Sequence, residues 1–305
     1  MSSRVSVIVR TKDRPYFLAR ALADIAAQSH DELDVLVVND QGDEDAARAV
    51  VASSPLADRT RVLATSSPGG RCAAANLGVR AATADYVVLH DDDDLWHPDF
   101  LASTVAYLDA HPMEAGVVVP TEIIYERAAD GGWLEQRREP FWPGLSSVTF
   151  TELLEINRAV PISVLYRRAI HDDVGYYDES LETVEDWDFY LRLTPRHSLG
   201  FLAGPPLAYW TQRPTARGSD GNSMFELAGA HERDDLAVRD AALRAWVERN
   251  GAGMPLFIAS IERRLRESFA RELAEQLDRQ REVLVREIWD RHPVWRRVRR
   301  ILRRR

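Results

Sequence analysis

Apolar positions in the first part of the chain come in short runs separated by amphipathic stretches. Val5 to Val9, Asp34 to Val38 and Tyr86 to Leu89 read as buried strands, since short apolar runs with polar ends suit a sheet covered on both faces. Helices are expected between them, from Pro15 to about Gln28 with Asp13 as cap, from about Asp43 to Ser53, and from Gly70 to about Ala82, with a further strand at Arg61 to Ala64. Strands alternating with helices of this length imply βαβ units and a largely parallel sheet, an α/β fold. Farther on, a helix from Pro98 to about Ala110, a hairpin turn at Asp130-Gly131-Gly132, a helix within Val184 to Leu193 and a strand at Leu207 to Trp210 are expected. Thr211 to Ser223, rich in Gly, Ser, Thr, Arg and Asn, reads as a mobile loop.

From about Met224 the pattern turns helical. Ile261, Leu265, Phe269, Leu273 and Leu277 recur every four residues, and Leu284 and Ile288 extend the stripe. Unbroken from Phe257 to Asp290, such a helix is about 50 Å long at 1.5 Å per residue. It is expected to pack on a second copy of itself, giving a homo-oligomer, or to lead away from the body. The expected organisation is therefore 1–223, 224–290 and a basic tail, 291–305.

Composition narrows the class. Hydrophobic content of 45% and charged content of 29% are those of a soluble globular chain. One cysteine, Cys72, excludes an intrachain disulfide and a cysteine zinc cluster. No apolar run approaches the length of a membrane span, so a cytoplasmic protein is expected. The net charge of −9 hides an asymmetry: the last fifteen residues carry eight arginines and no acid, leaving −17 on residues 1–290. Val294, Trp295, Val298, Ile301 and Leu302 interleave with those arginines, so a helical tail would lie on an anionic membrane surface, at its inner face. An acidic body argues against a nucleic-acid partner.

The candidate chemistry sits where the Tyr86 run stops at Asp91-Asp92-Asp93-Asp94. Open α/β sheets place ligands at the C-terminal ends of strands. Four carboxylates there repel one another and call for a cation, and Mg²⁺ or Mn²⁺, which shares its shell with substrate phosphates, is the natural one. The alternative is a solvated acidic turn capping the next helix; the buried strand before it favours the metal. Asp40 and Glu185-Asp186 bring further acids to the same edge. Neither GxGxxG after the first strand nor GxxxxGK[ST] is present, which excludes the usual dinucleotide and P-loop sites.

Taken in order, Val5-Ser6-Val7-Ile8-Val9-Arg10-Thr11, Val37-Val38-Asn39-Asp40, Asn76-Leu77-Gly78, Leu95-Trp96-His97-Pro98-Asp99, Gly175-Tyr176-Tyr177-Asp178-Glu179 and Glu185-Asp186-Trp187-Asp188 resemble glycosyltransferase family 2 over residues 4 to 212. The resemblance implies a GT-A fold with a C-terminal helical extension, a nucleotide-sugar donor of UDP or dTDP type, a divalent metal, and inversion at the anomeric carbon. It places Asp40 on the donor base and Asp93 on the metal, with Asp91 and Asp92 at the ribose and second-ligand positions. Asp186 becomes the general base. Thr11 and Asp13 fall in the donor-side loop. Where the family often has a histidine, this chain reads Tyr209-Trp210-Thr211-Gln212-Arg213, and Arg213 or Arg217 is the expected loop cation for the diphosphate, with Glu185 and Gln212 as secondary candidates. Where the family often has Pro-Thr-Tyr-Asn, this chain has Arg10-Thr11-Lys12-Asp13. The implied acceptor is a cell-surface glycan or glycolipid precursor. Two rivals are a non-catalytic binding module on the same fold and a sugar-nucleotide nucleotidyltransferase.

Overall fold

The computed structural model describes residues 4–222 and 227–291, with Val294 and Arg297 beyond them. In chain order its elements begin β1 (Val5–Thr11), α1 (Pro15–Ala26), β2 (Leu33–Asn39), α2 (Glu44–Ala52), β3 (Thr60–Ala64), α3 (Arg71–Ala81), β4 (Tyr86–Asp91), β5 (Leu95–Trp96) and α4 (Phe100–Ala110). There follow β6 (Glu114–Val118), β7 (Thr121–Ala129), β8 (Gly132–Pro140), α5 (Phe150–Glu155), β9 (Val164–Arg167), α6 (His171–Val174), α7 (Glu185–Leu193), β10 (Ser198–Phe201) and β11 (Ala208–Gln212). Two helices, α8 (Ala228–Asn250) and α9 (Gly253–Arg291), complete the described chain.

Seven strands form the main sheet in the order β10-β6-β9-β4-β1-β2-β3, parallel except for β9. Val5, Val7 and Val9 pack with Leu18, Leu22 and Ile25 of α1 on one face, while Ile8, Leu36 and Leu89 pack with Ala74 and Ala75 of α3 on the other. Burial on both sides is why these strands read as continuous apolar runs. The order brings the C-terminal ends of β1, β2 and β4 side by side, which sets Arg10 beside Asp91 in register.

A second sheet, β5-β11-β7-β8, stands next to this edge. Its β7–β8 hairpin turns where Asp130-Gly131-Gly132 predicts, but the arm Gly132–Pro140 alternates too weakly in sequence to be seen as a strand. The expected mobile loop is corrected at both ends. Thr211 and Gln212 belong to β11, and Arg213 and Asn222 are buried, with Asn222 Oδ1 accepting from the Arg213 N–H at 2.6 Å. Thr211, Arg213 and Asn222 bond one another inside the protein, while Thr215, Arg217 and Asp220 between them face water. Asp13 does not cap α1 either; its Oδ1 accepts from the Asp43 N–H at 2.7 Å, tying the loops after β1 and β2 together.

The chain divides into two compact units, Met1–Val238 and Arg239–Arg305, with the division falling within α8. In the second unit α9 runs unbroken for 39 residues, about 58 Å at 1.5 Å per residue, and Leu265, Phe269, Leu277 and Ile288 along it are more than half exposed. The tail reading, on residues 291–305, lies almost wholly outside the described residues. Among the described residues no helix is long and apolar enough to cross a membrane.

Candidate active site

Arg10, which the sequence marks only as a departure from a family pattern, is the hinge of the site. It leaves β1 with its side chain 5% exposed and donates from Nε to Asp91 Oδ1 at 2.8 Å, while a terminal nitrogen reaches Glu185 Oε1 at 2.7 Å. One guanidinium therefore joins the acidic run to the Glu185-Asp186 turn across 175 residues of sequence.

The rest of the run is met by other arginines. Arg14 bonds Asp92 at 2.9 Å and Asp93 at 2.8 Å, and Arg213, fully buried, pairs with both Asp93 and Glu126 of β7. Arg20 pairs with Glu126 from the far side at 2.5 Å. The guanidinium groups of Arg14, Arg20 and Arg213 all stand over the Phe17 ring, at 4.5, 5.3 and 4.4 Å. Thr11 Oγ1 donates to Asp92 at 2.7 Å, Asn222 Nδ2 to Asp93 at 3.1 Å, and the Thr211 N–H to Asp94 at 2.8 Å. Repulsion along the run is thus answered by fixed guanidinium groups. Burial raises Asp92 to about 7 despite Arg14, and raises Asp94. It would raise Asp93 too, but Arg14 and Arg213 outweigh it and bring that carboxyl down to about 2.

The second acidic site begins at Val184, a β-branched residue held at φ 55°, a left-handed conformation that such side chains avoid. The turn aims both acids inward from the start of α7: Glu185 is 2% and Asp186 7% exposed. Burial alone would raise Glu185; Arg71 and Arg10 override it and bring it down to about 2. Asp186 receives an amide instead, Asn157 Nδ2 donating at 2.8 Å, and burial together with the charge of Glu185 pushes it up to about 7. A carboxylate tuned toward neutrality beside an ionised neighbour is the usual electrostatic signature of an acid–base group.

Placed on this geometry, the expected donor residues separate. Asp40 ends β2 half-buried, with Oδ1 accepting from Thr65 Oγ1 at 2.9 Å and from the Gly70 N–H at 2.8 Å. Gly69 is needed there, because a Cβ would collide with that oxygen. Thr11 and Asp92 are buried against each other, and Asp13 is spent on the Asp43 backbone. Arg213, with no exposure and two ion pairs, ties the end of β11 to the acidic run and to β7. Arg10, Arg14, Arg20 and Glu126 escape sequence reasoning, since each finds its ion-pair partners 78 (Arg14 to Asp92) or more residues away.

The expected metal would draw on the acid oxygens that the arginines leave open. Asp93 has Oδ2 committed to Arg14, Arg213 and Asn222, while its Oδ1 carries no hydrogen bond or ion pair among the described residues. Among the described residues no three His, Cys, Asp or Glu side chains converge on one point. Oxygens that fit a hard cation remain on Asp91, partly exposed with Oδ2 3.5 Å from Arg71, and on Gln212, whose buried amide bonds nothing among the described residues. Each is an oxygen of the kind a hard divalent cation takes.

Comparison with known proteins agrees with the fold. The model of glycosyl transferase family 2 matches residues 6–175. The uncharacterized glycosyltransferase YwdF of Bacillus subtilis (strain 168) is 26% identical over 300 residues, 97% of this chain and 99% of that protein. Among solved structures, S. aureus TarS 1–349 in complex with UDP-GlcNAc superposes with a TM-score of 0.54 at 20% identity over 73% of this chain, which spans 63% of that fragment. The mannosyltransferase PcManGT from Pyrobaculum calidifontis, in complex with GDP-Man and Mn²⁺, superposes with a TM-score of 0.51 at 18% identity, covering 87% of this chain and 81% of that one. With more than half its length matched by the family model and the sheet arranged as in these structures, the chain belongs to glycosyl transferase family 2 and is a glycosyltransferase of GT-A fold.

Proposed function

We propose that the chain transfers a sugar, with inversion, from a UDP- or dTDP-type nucleotide sugar to a hydroxyl of a cell-surface glycan or glycolipid precursor. The observation that carries this reading is Asp186: a buried carboxylate pushed up to about 7, on the strand-end edge that also holds Asp40 and Asp91. In the transfer, the acceptor O–H proton passes to the Asp186 carboxylate and the acceptor oxygen bonds to the anomeric carbon. The bond from that carbon to the diphosphate breaks, and the nucleoside diphosphate leaves. Glu185, held ionised by Arg71 and Arg10, keeps a negative charge beside Asp186 and so makes it a better base.

On the donor side, Asp40 is proposed for the base and Asp91 for the ribose and, with Gln212, for a divalent cation, as the Mn²⁺ of the archaeal mannosyltransferase supports. Such an ion, when bound, neutralises charge on the leaving diphosphate. The exposed apolar stripe of α9 favours a second copy of the chain as partner, and the arginine-rich tail favours an anionic membrane surface. Sedimentation of full-length protein, alone and with anionic vesicles, checks both; monomers that ignore vesicles would remove them.

The deciding experiment is thermal stability with UDP, dTDP, GDP and CMP, with and without Mn²⁺, on the native chain and Asp91→Asn. A nucleotide at a hundred times its Kd stabilises by about 2.7 kcal/mol. Stabilisation by UDP or dTDP that grows with Mn²⁺ and loses that increment in Asp91→Asn is the expected result. Indifference to all four nucleotides would sink the donor assignment.

A further inference from the structure

The turn that aims Asp186 is not held by its own neighbours. Val184 precedes α7 without a side-chain cap, and Thr183 before it is fully buried. A buried backbone N–H must be satisfied, and the local chain supplies no acceptor by its own side chains. The acceptor arrives from α8. Asp234, 4% exposed, takes the Glu182 N–H at 2.9 Å, the Thr183 N–H at 2.9 Å and the Thr183 hydroxyl at 3.0 Å, all on Oδ2. Arg233 holds its other oxygen at 3.0 Å and reaches Glu182 at 2.9 Å. Three donors converging on one charged oxygen fix a backbone segment far more tightly than neutral bonds do. These contacts lie beyond residues 6–175, so family membership does not assign them.

We propose that Asp234 is a positioning residue for sugar transfer: from α8 it clamps the Glu182–Val184 turn and so holds Asp186 in its buried place beside Glu185. The proposal rests on reading Asp186 as the base. Without the clamp the buried Thr183 N–H and the Glu182 N–H lose their acceptor, Val184 has no reason to stay left-handed, and both acids swing toward water. A misplacement of about 1 Å at a reacting group costs roughly 10²-fold in rate.

The test uses the full chain as Asp234→Ala and Asp234→Asn, the asparagine keeping an oxygen that can accept the same bonds. Asp186 is followed by carboxyl ¹³C NMR against pH; the groups facing it are Glu185 and Tyr190 of α7, Asn157, and Arg71 of α3, with His231 of α8 close to Arg71 and Glu185. Asp234→Ala should move the Asp186 midpoint down by about one unit or more as the carboxyl hydrates, and Asp234→Asn should leave it in place. With UDP-GlcNAc and water as acceptor, Asp234→Ala should lose roughly 10- to 100-fold in kcat while the Kd for UDP stays within about twofold. An unmoved midpoint in Asp234→Ala overturns the proposal, as does parallel loss of UDP binding and kcat. Should Asp234→Ala not fold, Thr183→Val, which removes the hydroxyl donor alone, should shift the midpoint the same way by less; no shift there also overturns it. A native chain that hydrolyses no donor counts against the transferase reading, and the titration still decides the clamp.

Discussion

The acidic run after β4 and the Glu185-Asp186 turn both bury aspartates at one edge of the sheet, and Arg10 touches both, yet they treat the charge in opposite ways. Asp93 lies between two guanidinium groups, which hold it ionised against burial; Asp186 receives an amide and sits beside an ionised glutamate, which keeps its proton bound until near neutrality. A carboxylate that must not change its state is given cations, and one that must exchange a proton is denied them. The same contrast sets the run of four acids, the most conspicuous chemical feature in the sequence and largely met by guanidinium groups, against the acid proposed as base, which sits at a helix start entered through a left-handed valine.

The widest break in that contrast should come from Asp186→Asn. Loss of a general base costs roughly 10² to 10⁴ in kcat, up to about 5.5 kcal/mol of barrier. Stability should move the other way. The folded chain keeps a proton on Asp186 that the unfolded chain gives up from about pH 4 upward, so this group destabilises the fold progressively until about pH 7. Asp186→Asn should therefore raise Tm at pH 8 and hardly change it at pH 4. A lower Tm at pH 8 would show that the carboxylate is structural after all.

Asp93 and Arg213 should answer in reverse. Arg213→Met leaves Asp93 and Glu126 short of a cation, and breaking a buried pair costs about 3–5 kcal/mol, readable in a denaturant titration. Because Asp93 is lowered by the fold, its contribution is present above about pH 4 and fades as pH falls toward about 2. A substitution that altered nucleotide affinity but not stability would return Arg213 to the role of loop cation.

These expectations also mark what the sequence makes legible. Strands β1, β2 and β4, the helices between them and the positions of Asp40, the acidic run and Asp186 follow from apolar runs, turn residues and family motifs, all local signals. The partners of those acids are not local. Arg14 lies 79 residues from Asp93, Arg213 lies 120 residues from it, and Asp234 lies 51 from Thr183. Nothing in composition separates a buried arginine from an exposed one in a chain where 38 of the 39 basic residues are arginine. Thr211, Arg213 and Asn222 mislead for the same reason: polar residues that bond one another inside a fold look, in sequence, like a loop facing water.

A finer test sets the two regions against each other through Asn157. Its amide bond favours the ionised form of Asp186, so it works against burial and against Glu185. Asn157→Ala should remove a bond worth about 1 kcal/mol, which raises the Asp186 midpoint by somewhat under one unit and slides the acid limb of the pH–rate profile upward by the same amount. Turnover at pH 9, where Asp186 is ionised either way, should change little. If turnover falls equally at every pH instead, Asn157 orients the acceptor or the base and does not tune it. The pH window of the enzyme would then be set by Glu185 and burial alone, with the guanidinium groups of Arg10 and Arg71 deciding how strongly Glu185 acts.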